Sequence, residues 1–183
     1  MWRKILKTKL HLACGKRYIP GFIHIDERLF PHVDYKMDIS DLYEFEDKSV
    51  DLIYASHVLE HFGRHKFIDV LKEWYRVLKK GGVLRVAVPD FEAICKAYKK
   101  FGDIKLVLGP IHGGQDYEGN THYVSFDFKY LKEALEDVGF RNIRRYDWRK
   151  TIHKDYDDFS QSYLPHMDKE NGILISLNVE AEK

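Results

Sequence analysis

The feature that most constrains this chain is a break in an apolar run near its start. Leu10-His11-Leu12 reads as a strand and stops at Ala13-Cys14-Gly15. A second apolar run, Phe22-Ile23-His24-Ile25, stops at the carboxylate Asp26, eleven residues after Gly15. A strand that ends in a small, glycine-containing turn lets backbone N–H groups approach a ligand, because no Cβ blocks the way. A carboxylate at the tip of the next strand can accept from a ribose diol. Together the two tips predict a nucleoside-containing cofactor across the carboxyl ends of parallel strands. The full G-x-G-x-x-G pattern is absent.

Downstream, strand-like runs alternate with helical periodicity, the pattern of a mostly parallel sheet with helical crossovers. Val33–Met37, closed by Asp38, predicts a third strand, and Val50–Ala55 a fourth. Phe67, Leu71, Trp74, Tyr75 and Leu78 recur at spacings of three and four, so a helix is expected from about Arg64 to Gly81-Gly82. Val83–Val88 is the fifth strand, and Asp90 to about Lys100 a helix. Residues 102–125 read as irregular. Asp127 is a plausible N-cap for a helix that buries Leu131, Leu135 and Val138 and ends at Gly139. Arg141–Tyr146 is a sixth strand, 148–171 a second long irregular stretch, and Ile173–Ala181 a closing strand. Irregular stretches of this length in a compact domain tend to carry function.

Size and charge exclude several classes. The 183 residues suit a single domain, spanning 1–183, with one core. Thirty Lys and Arg balance 29 Asp and Glu, which leaves no electrostatic footprint for nucleic acid or an anionic membrane. Cys14 and Cys95 give no disulfide framework and fit a reducing compartment. The basic start Met1-Trp2-Arg3-Lys4 is followed by too short an apolar stretch for a signal peptide. A soluble cytoplasmic protein is expected, without nucleic-acid or membrane partners.

With these elements in place, the chain resembles the class I S-adenosylmethionine-dependent methyltransferases over nearly its whole length. The residues that carry the resemblance are Leu12-Ala13-Cys14-Gly15, Asp26, Asp38-Ile39, the block Phe45–His61 and the segment Arg76–Leu84. The tail Ser176–Ala181, with Gly113-Gly114-Gln115, is similar to a compact subgroup of predicted methyltransferases, some associated with surface-polysaccharide biosynthesis. The resemblance implies an α/β, single-domain Rossmann-like sheet, mostly parallel with an antiparallel C-terminal strand. It implies S-adenosyl-L-methionine as cofactor and a small-molecule or saccharide acceptor, with O-methylation the expected chemistry. The alternative is a methyltransferase-like domain that binds cofactor or partner without catalysis. The chain departs from the family in its single loop glycine, Gly15, and in a Gly15–Asp26 interval too short for a crossover helix. No leading helix is expected before the first strand either. One side of the cleft would then be thin, covered by the long loops or by a second copy in a homodimer.

The resemblance assigns the cofactor contacts to Leu12, Ala13, Cys14 and Gly15 for the methionine part and to Asp26 for the ribose. Asp38 and Ile39 fall to the adenine, and Ser56, His57 and His61 to the cleft near the methyl group. A base assists methyl transfer to a hydroxyl. His122, in the glycine-bearing stretch after the fifth strand, is the first candidate, His57 the second, and Tyr123 an orienting group. Cys14 is expected to be a packing residue and Asp38 could instead cap a turn. His57-Val58-Leu59-Glu60-His61 also matches the H-x-x-E-H of one class of zinc peptidases. That motif needs one helix through both histidines, and here His57 follows a strand and Gly63 interrupts soon after. No metal is expected.

Overall fold

The computed structural model describes residues 7–117 and 119–183. The basic start, Met1–Lys4, lies outside the described residues. The chain runs through β1 (Lys9–Leu12), β2 (Ile23–Asp26), β3 (Tyr35–Lys36), β4 (Val50–Ser56), α1 (Lys66–Val77), β5 (Leu78–Pro89), α2 (Phe91–Phe101) and α3 (Lys105–His112). It continues through α4 (Phe128–Val138), β6 (Arg141–Arg145), β7 (Tyr163–Leu164), β8 (Ile173–Leu174) and β9 (Ser176–Glu182). One seven-stranded sheet has the order β3-β2-β1-β4-β5-β9-β6, and β7 with β8 makes a small second sheet. The first five strands are mutually parallel. Only β9 runs against its neighbours β5 and β6. The fold is the expected Rossmann-like sheet with an antiparallel C-terminal strand.

Burial explains the sheet's composition. The central strands present Leu10, Leu12, Ile25, Ile53, Ala55, Leu84, Val86 and Leu177 to one core that also takes Phe67, Leu71 and Trp74 from α1. Strands buried on both faces read as continuous apolar runs. The Trp74 indole donates to the Ile39 carbonyl at 2.9 Å, which ties α1 to the segment after β3. Asp127 caps α4 by accepting from the Tyr130 N–H at 2.7 Å, and Gly139 ends it at φ +115°.

Four expectations need correction. The third strand covers only Tyr35–Lys36. Helix α1 stops at Val77 rather than at Gly81-Gly82, because Leu78 pairs with Val50 and opens β5. The two glycines instead lie at a register shift within β5, where a Cβ on Gly82 would stand 2.8 Å from the Lys79 carbonyl oxygen. Residues 105–112, expected as irregular, form α3, whose Gly109 and Pro110 disguise the pattern. The closing strand is broken at Ile175, which turns its N–H to Ser162, so that β8 pairs with β7 and β9 with β5. The stretch 148–171 holds two single 3₁₀ turns, Trp148–Lys150 and Phe159–Gln161, besides β7.

No helix joins β1 to β2, as their spacing requires. Residues 13–22 form turns instead. Ile19, Phe22 and Tyr54 cover that face of the sheet, with Tyr156 from the 148–171 stretch packed against them. No helix among the described residues is long and apolar enough to cross a membrane.

Candidate functional site

The carboxyl ends of β1, β2 and β4 open into one cleft of about 670 Å³. The turn after β1 is left-handed at Ala13 (φ +48°) and Gly15 (φ +55°), which folds the backbone tightly against the next strand tip. The Gly15 N–H donates to Asp26 Oδ2 at 2.8 Å, and the Arg28 N–H donates to Oδ1 at 2.8 Å. Arg28 Nε also approaches Oδ1 at 3.5 Å, so the free lone pair is on Oδ2. Asp26 is only 2% exposed, yet its carboxylate lines the cleft. A buried carboxylate with spare acceptor capacity at a strand tip fits a ribose diol, so the residues present suit a nucleoside-bearing cofactor. Asp38, whose Oδ1 accepts from the Ser40 N–H at 2.8 Å, and Ile39 form the next part of the wall.

Ala13, Cys14, Gly15, Asp26, Asp38, Ile39, Ser56, His57, His61 and Tyr123 all line this cleft. Two predicted residues do not. Leu12 is wholly buried in the core, because its side chain faces the layer beneath the sheet rather than the strand tip. His122 stands behind the wall. Its Nδ1 donates to the Pro110 carbonyl at 3.0 Å, and its Nε2 faces Glu60 Oε1 at 4.0 Å. Burial pushes the Cys14 thiol up to about 12, as befits a packing residue rather than a nucleophile.

His57 is held from both sides. It sits just after β4 in a left-handed conformation, φ +54°. The Ser176 hydroxyl donates its single proton to Asn178 Oδ1 at 3.1 Å, and Asn178 Nδ2 donates to the Ser160 carbonyl. Ser176 Oγ, 3.0 Å from His57 Nε2, must therefore accept from it. That leaves the His57 Nδ1 lone pair facing Glu60 Oε1 at 3.4 Å. Burial lowers the His57 pKa to about 3. It raises that of Glu60, which is fully buried, to about 8. His57 and His61 do not share a helix, as the H-x-x-E-H motif would need: only Leu59–His61 makes a 3₁₀ turn.

The opposite wall comes from the two long stretches. Asp158 and Phe159, from the 3₁₀ turn in 148–171, line the cleft beside Ser56 and His57. The Asp158 carboxylate accepts from the Tyr54 hydroxyl, from the Ser160 N–H at 2.8 Å and from Ser56 Oγ at 3.4 Å. Burial nevertheless raises its pKa above the usual carboxylate value. Tyr117, Gly119, Asn120 and Tyr123 close the cleft from the 113–123 stretch. Arg28 clasps that stretch, with its guanidinium 5.3 Å from the Tyr117 ring centre and 3.2 Å from the Tyr117 hydroxyl. The missing crossover helix is thus compensated within the chain. Sequence reasoning did not find Asp158, Phe159, Arg28 or Tyr117. The only sequence signal for them is the length of the stretches that hold Asp158, Phe159 and Tyr117, with Arg28 two places beyond a strand-tip carboxylate.

Residues 10–86 match the family described as a methyltransferase domain. Over that segment the sequence has the pattern of a methyltransferase domain, and the fold is the one that S-adenosylmethionine-dependent methyltransferases share. The match runs from β1 into β5 and takes in the walls contributed by Asp26, Asp38 and His57. No curated protein matches the chain. Among solved structures, a methyltransferase from Archaeoglobus fulgidus superposes with a TM-score of 0.60 at 16% identity, over 97% of this chain and 86% of that one. A possible histamine N-methyltransferase from Thermotoga maritima gives 0.61 at 17%, over 96% and 82%. A methyltransferase from Methanosarcina mazei gives 0.59 at 18%, over 96% and 92%. At these identities the likeness is one of fold.

Proposed function

We propose that the chain is an S-adenosylmethionine-dependent methyltransferase that methylates a hydroxyl group of a small acceptor, with a saccharide as the class best suited to the cleft. The observation that carries this is the pairing of Asp158 with Phe159. A carboxylate and an aromatic face stand side by side at the end of β4, 102 residues on from Ser56 in sequence. An aromatic face suits the C–H surface of a sugar ring, and a neighbouring carboxylate suits its hydroxyls.

In this reading Ala13–Gly15 hold the methionine part, Asp26 the ribose, and Asp38 with Ile39 the adenine. Ser56 and His57 border the reacting end, with His61 beside them. The cofactor supplies an electrophilic methyl group on a sulfonium. Asp158 takes the acceptor proton, since burial has already raised its proton affinity. His57 is less suited, because Ser176 and Glu60 face its two ring nitrogens. His122 stands behind the wall and takes no part in the transfer. Tyr123, 60% exposed at the rim, orients the acceptor. Phe159 and the clasped 113–123 stretch exclude water.

The test is transfer of label from S-adenosylmethionine to monosaccharides, nucleotide sugars and small phenols, with the wild type and Asp158→Asn. The expected outcome is an O-methylated product whose turnover falls by about 10²–10⁴-fold in the variant while cofactor affinity holds. Undiminished turnover in Asp158→Asn would remove the base assignment. Cofactor binding without transfer to any hydroxylated acceptor would favour the non-catalytic alternative.

A further inference from the structure

Glu60 and His122 stand behind the cleft wall, outside the proposed methyl-transfer chemistry, and meet His57 and His61 of the wall. Glu60 is fully buried, and neither of its carboxylate oxygens has a hydrogen-bond partner. A carboxylate in that state is costly unless something neutral or positive meets it. Three imidazoles surround it. His122 Nδ1 donates to the Pro110 carbonyl, which leaves the Nε2 lone pair facing Glu60 Oε1 at 4.0 Å. His61 Nδ1 donates to the Thr121 carbonyl at 3.1 Å, which makes Nε2 the ring nitrogen that carries the lone pair. His57 Nδ1, also an open lone pair, is 3.4 Å from Glu60 Oε1. One ligand atom each from Glu60, His61 and His122 lies within 4.8 Å of the other two.

We propose that Glu60, His61 and His122 bind a divalent transition-metal ion of the zinc class, with His57 Nδ1 as the nearest candidate for a fourth ligand. Two independent features support it. The first is the unpartnered buried carboxylate. The second is the outer shell: His61 and His122 each donate the remaining ring N–H to a backbone carbonyl, which fixes the tautomer that presents Nε2. Metal-binding histidines are oriented in this way. One carboxylate and two or three imidazoles is a common zinc donor set. With bonds of about 2.1 Å, a tetrahedral centre places its ligand atoms about 3.4 Å apart. The ligand atoms would close by up to about 1.4 Å, within the reach of small side-chain rotations. The expectation that no metal binds rested on spacing along the sequence, where only the His57–His61 motif stood out and needed one helix. The fold removes that helix, keeps His61, and brings in His122 from the 113–123 stretch.

The consequence is structural. Thr121, His122 and Tyr123 already meet the turn after β4, where the Tyr123 N–H donates to the Glu60 carbonyl at 2.7 Å. A metal ion would pin the rim of the cleft to the turn that borders the reacting end. The peptidase reading does not return, because Glu60, the acid of that motif, is here a ligand and not a base.

The experiment is titration of chelator-stripped protein with zinc and with cobalt(II), in the wild type, Glu60→Gln, His61→Ala and His122→Ala. The expected result is saturable uptake of one ion per chain and a tetrahedral cobalt spectrum. Affinity should fall at least tenfold in each variant, and the thermal midpoint should rise with added zinc in the wild type only. Glu60→Gln preserves shape and removes a buried charge, so it keeps the test open if a histidine variant misfolds. The absence of one-to-one uptake by the wild type would overturn the proposal. So would uptake that survives in a folded Glu60→Gln protein, since the ion would then sit elsewhere. Neither readout depends on turnover or on the acceptor.

Discussion

At the scale of single residues, Asp26 does two jobs with one carboxylate. It accepts the Gly15 and Arg28 N–H groups and so sets the turn after β1 against the tip of β2. It also offers the remaining lone pair of Oδ2 to the cleft. Removing a charged acceptor from such a place costs about 1.5–3 kcal/mol. Asp26→Ala should therefore weaken binding of S-adenosylhomocysteine by about ten- to a hundredfold. Calorimetry on the folded variant checks this, and an unchanged affinity would take Asp26 out of the site. Asp26 and Gly15 were legible in the sequence because strand, tip and turn are contiguous. Asp158 was not. Its partners Tyr54 and Ser56 lie more than a hundred residues away, and nothing local to Asp158 distinguishes it from the aspartates beside it.

At the scale of elements, periodicity located the helices and strands, and tertiary contacts moved their ends. The apolar pattern of α1 runs on to Leu78, but that residue's contact is with β4, so the helix yields to the sheet one turn early. Gly81-Gly82 looked like a helix stop because glycine commonly supplies one. Here Gly82 lets the chain pass the Lys79 carbonyl while β5 shifts register against β4. A methyl group on Gly82 would also meet the Lys79 nitrogen and the Leu78 side chain at 3.2 Å. Backbone cannot give way cheaply, and overpacking of this kind costs about 1–3 kcal/mol. Gly82→Ala should lower the denaturant midpoint accordingly without changing the slope. A midpoint equal to the wild type would mean that β5 relaxes freely at the shift. Helix α3 was missed for the converse reason: Gly109 and Pro110 argue locally against the helix in which they sit.

At the scale of the whole molecule, the absence of a helix between β1 and β2 shapes both function and stability. The exposed face of the sheet is covered by turns and by the 148–171 stretch rather than by an amphipathic helix. That cover is unusually rich in imidazole. His11 on β1 and His153 on the long stretch lie on either side of Tyr54, with ring centres 5.3 Å and 3.9 Å from it. Both histidines are almost fully buried, and burial lowers the pKa of each to about 3. In the unfolded chain each would titrate near 6.5. Between about 6.5 and 3 the unfolded state therefore binds protons that the folded state refuses, so stability falls as pH falls. Each histidine contributes about 1.4 kcal/mol per pH unit within that window and nothing above it. Asp158 and Glu60, whose raised pKa values favour the protonated folded form, act in the opposite direction over part of the same range. The comparison that isolates the effect is between the wild type and His153→Phe. His153 Nε2 has no hydrogen-bond partner among the described residues, and phenylalanine can keep the stack on Tyr54. Denaturation measured from pH 7.5 to 4 should give a shallower pH dependence in the variant, by about 1.4 kcal/mol per unit below pH 6.5, with little difference above it. Parallel curves would mean that His153 takes up its proton in the folded state, and that the long stretch lifts away from the sheet before the core unfolds.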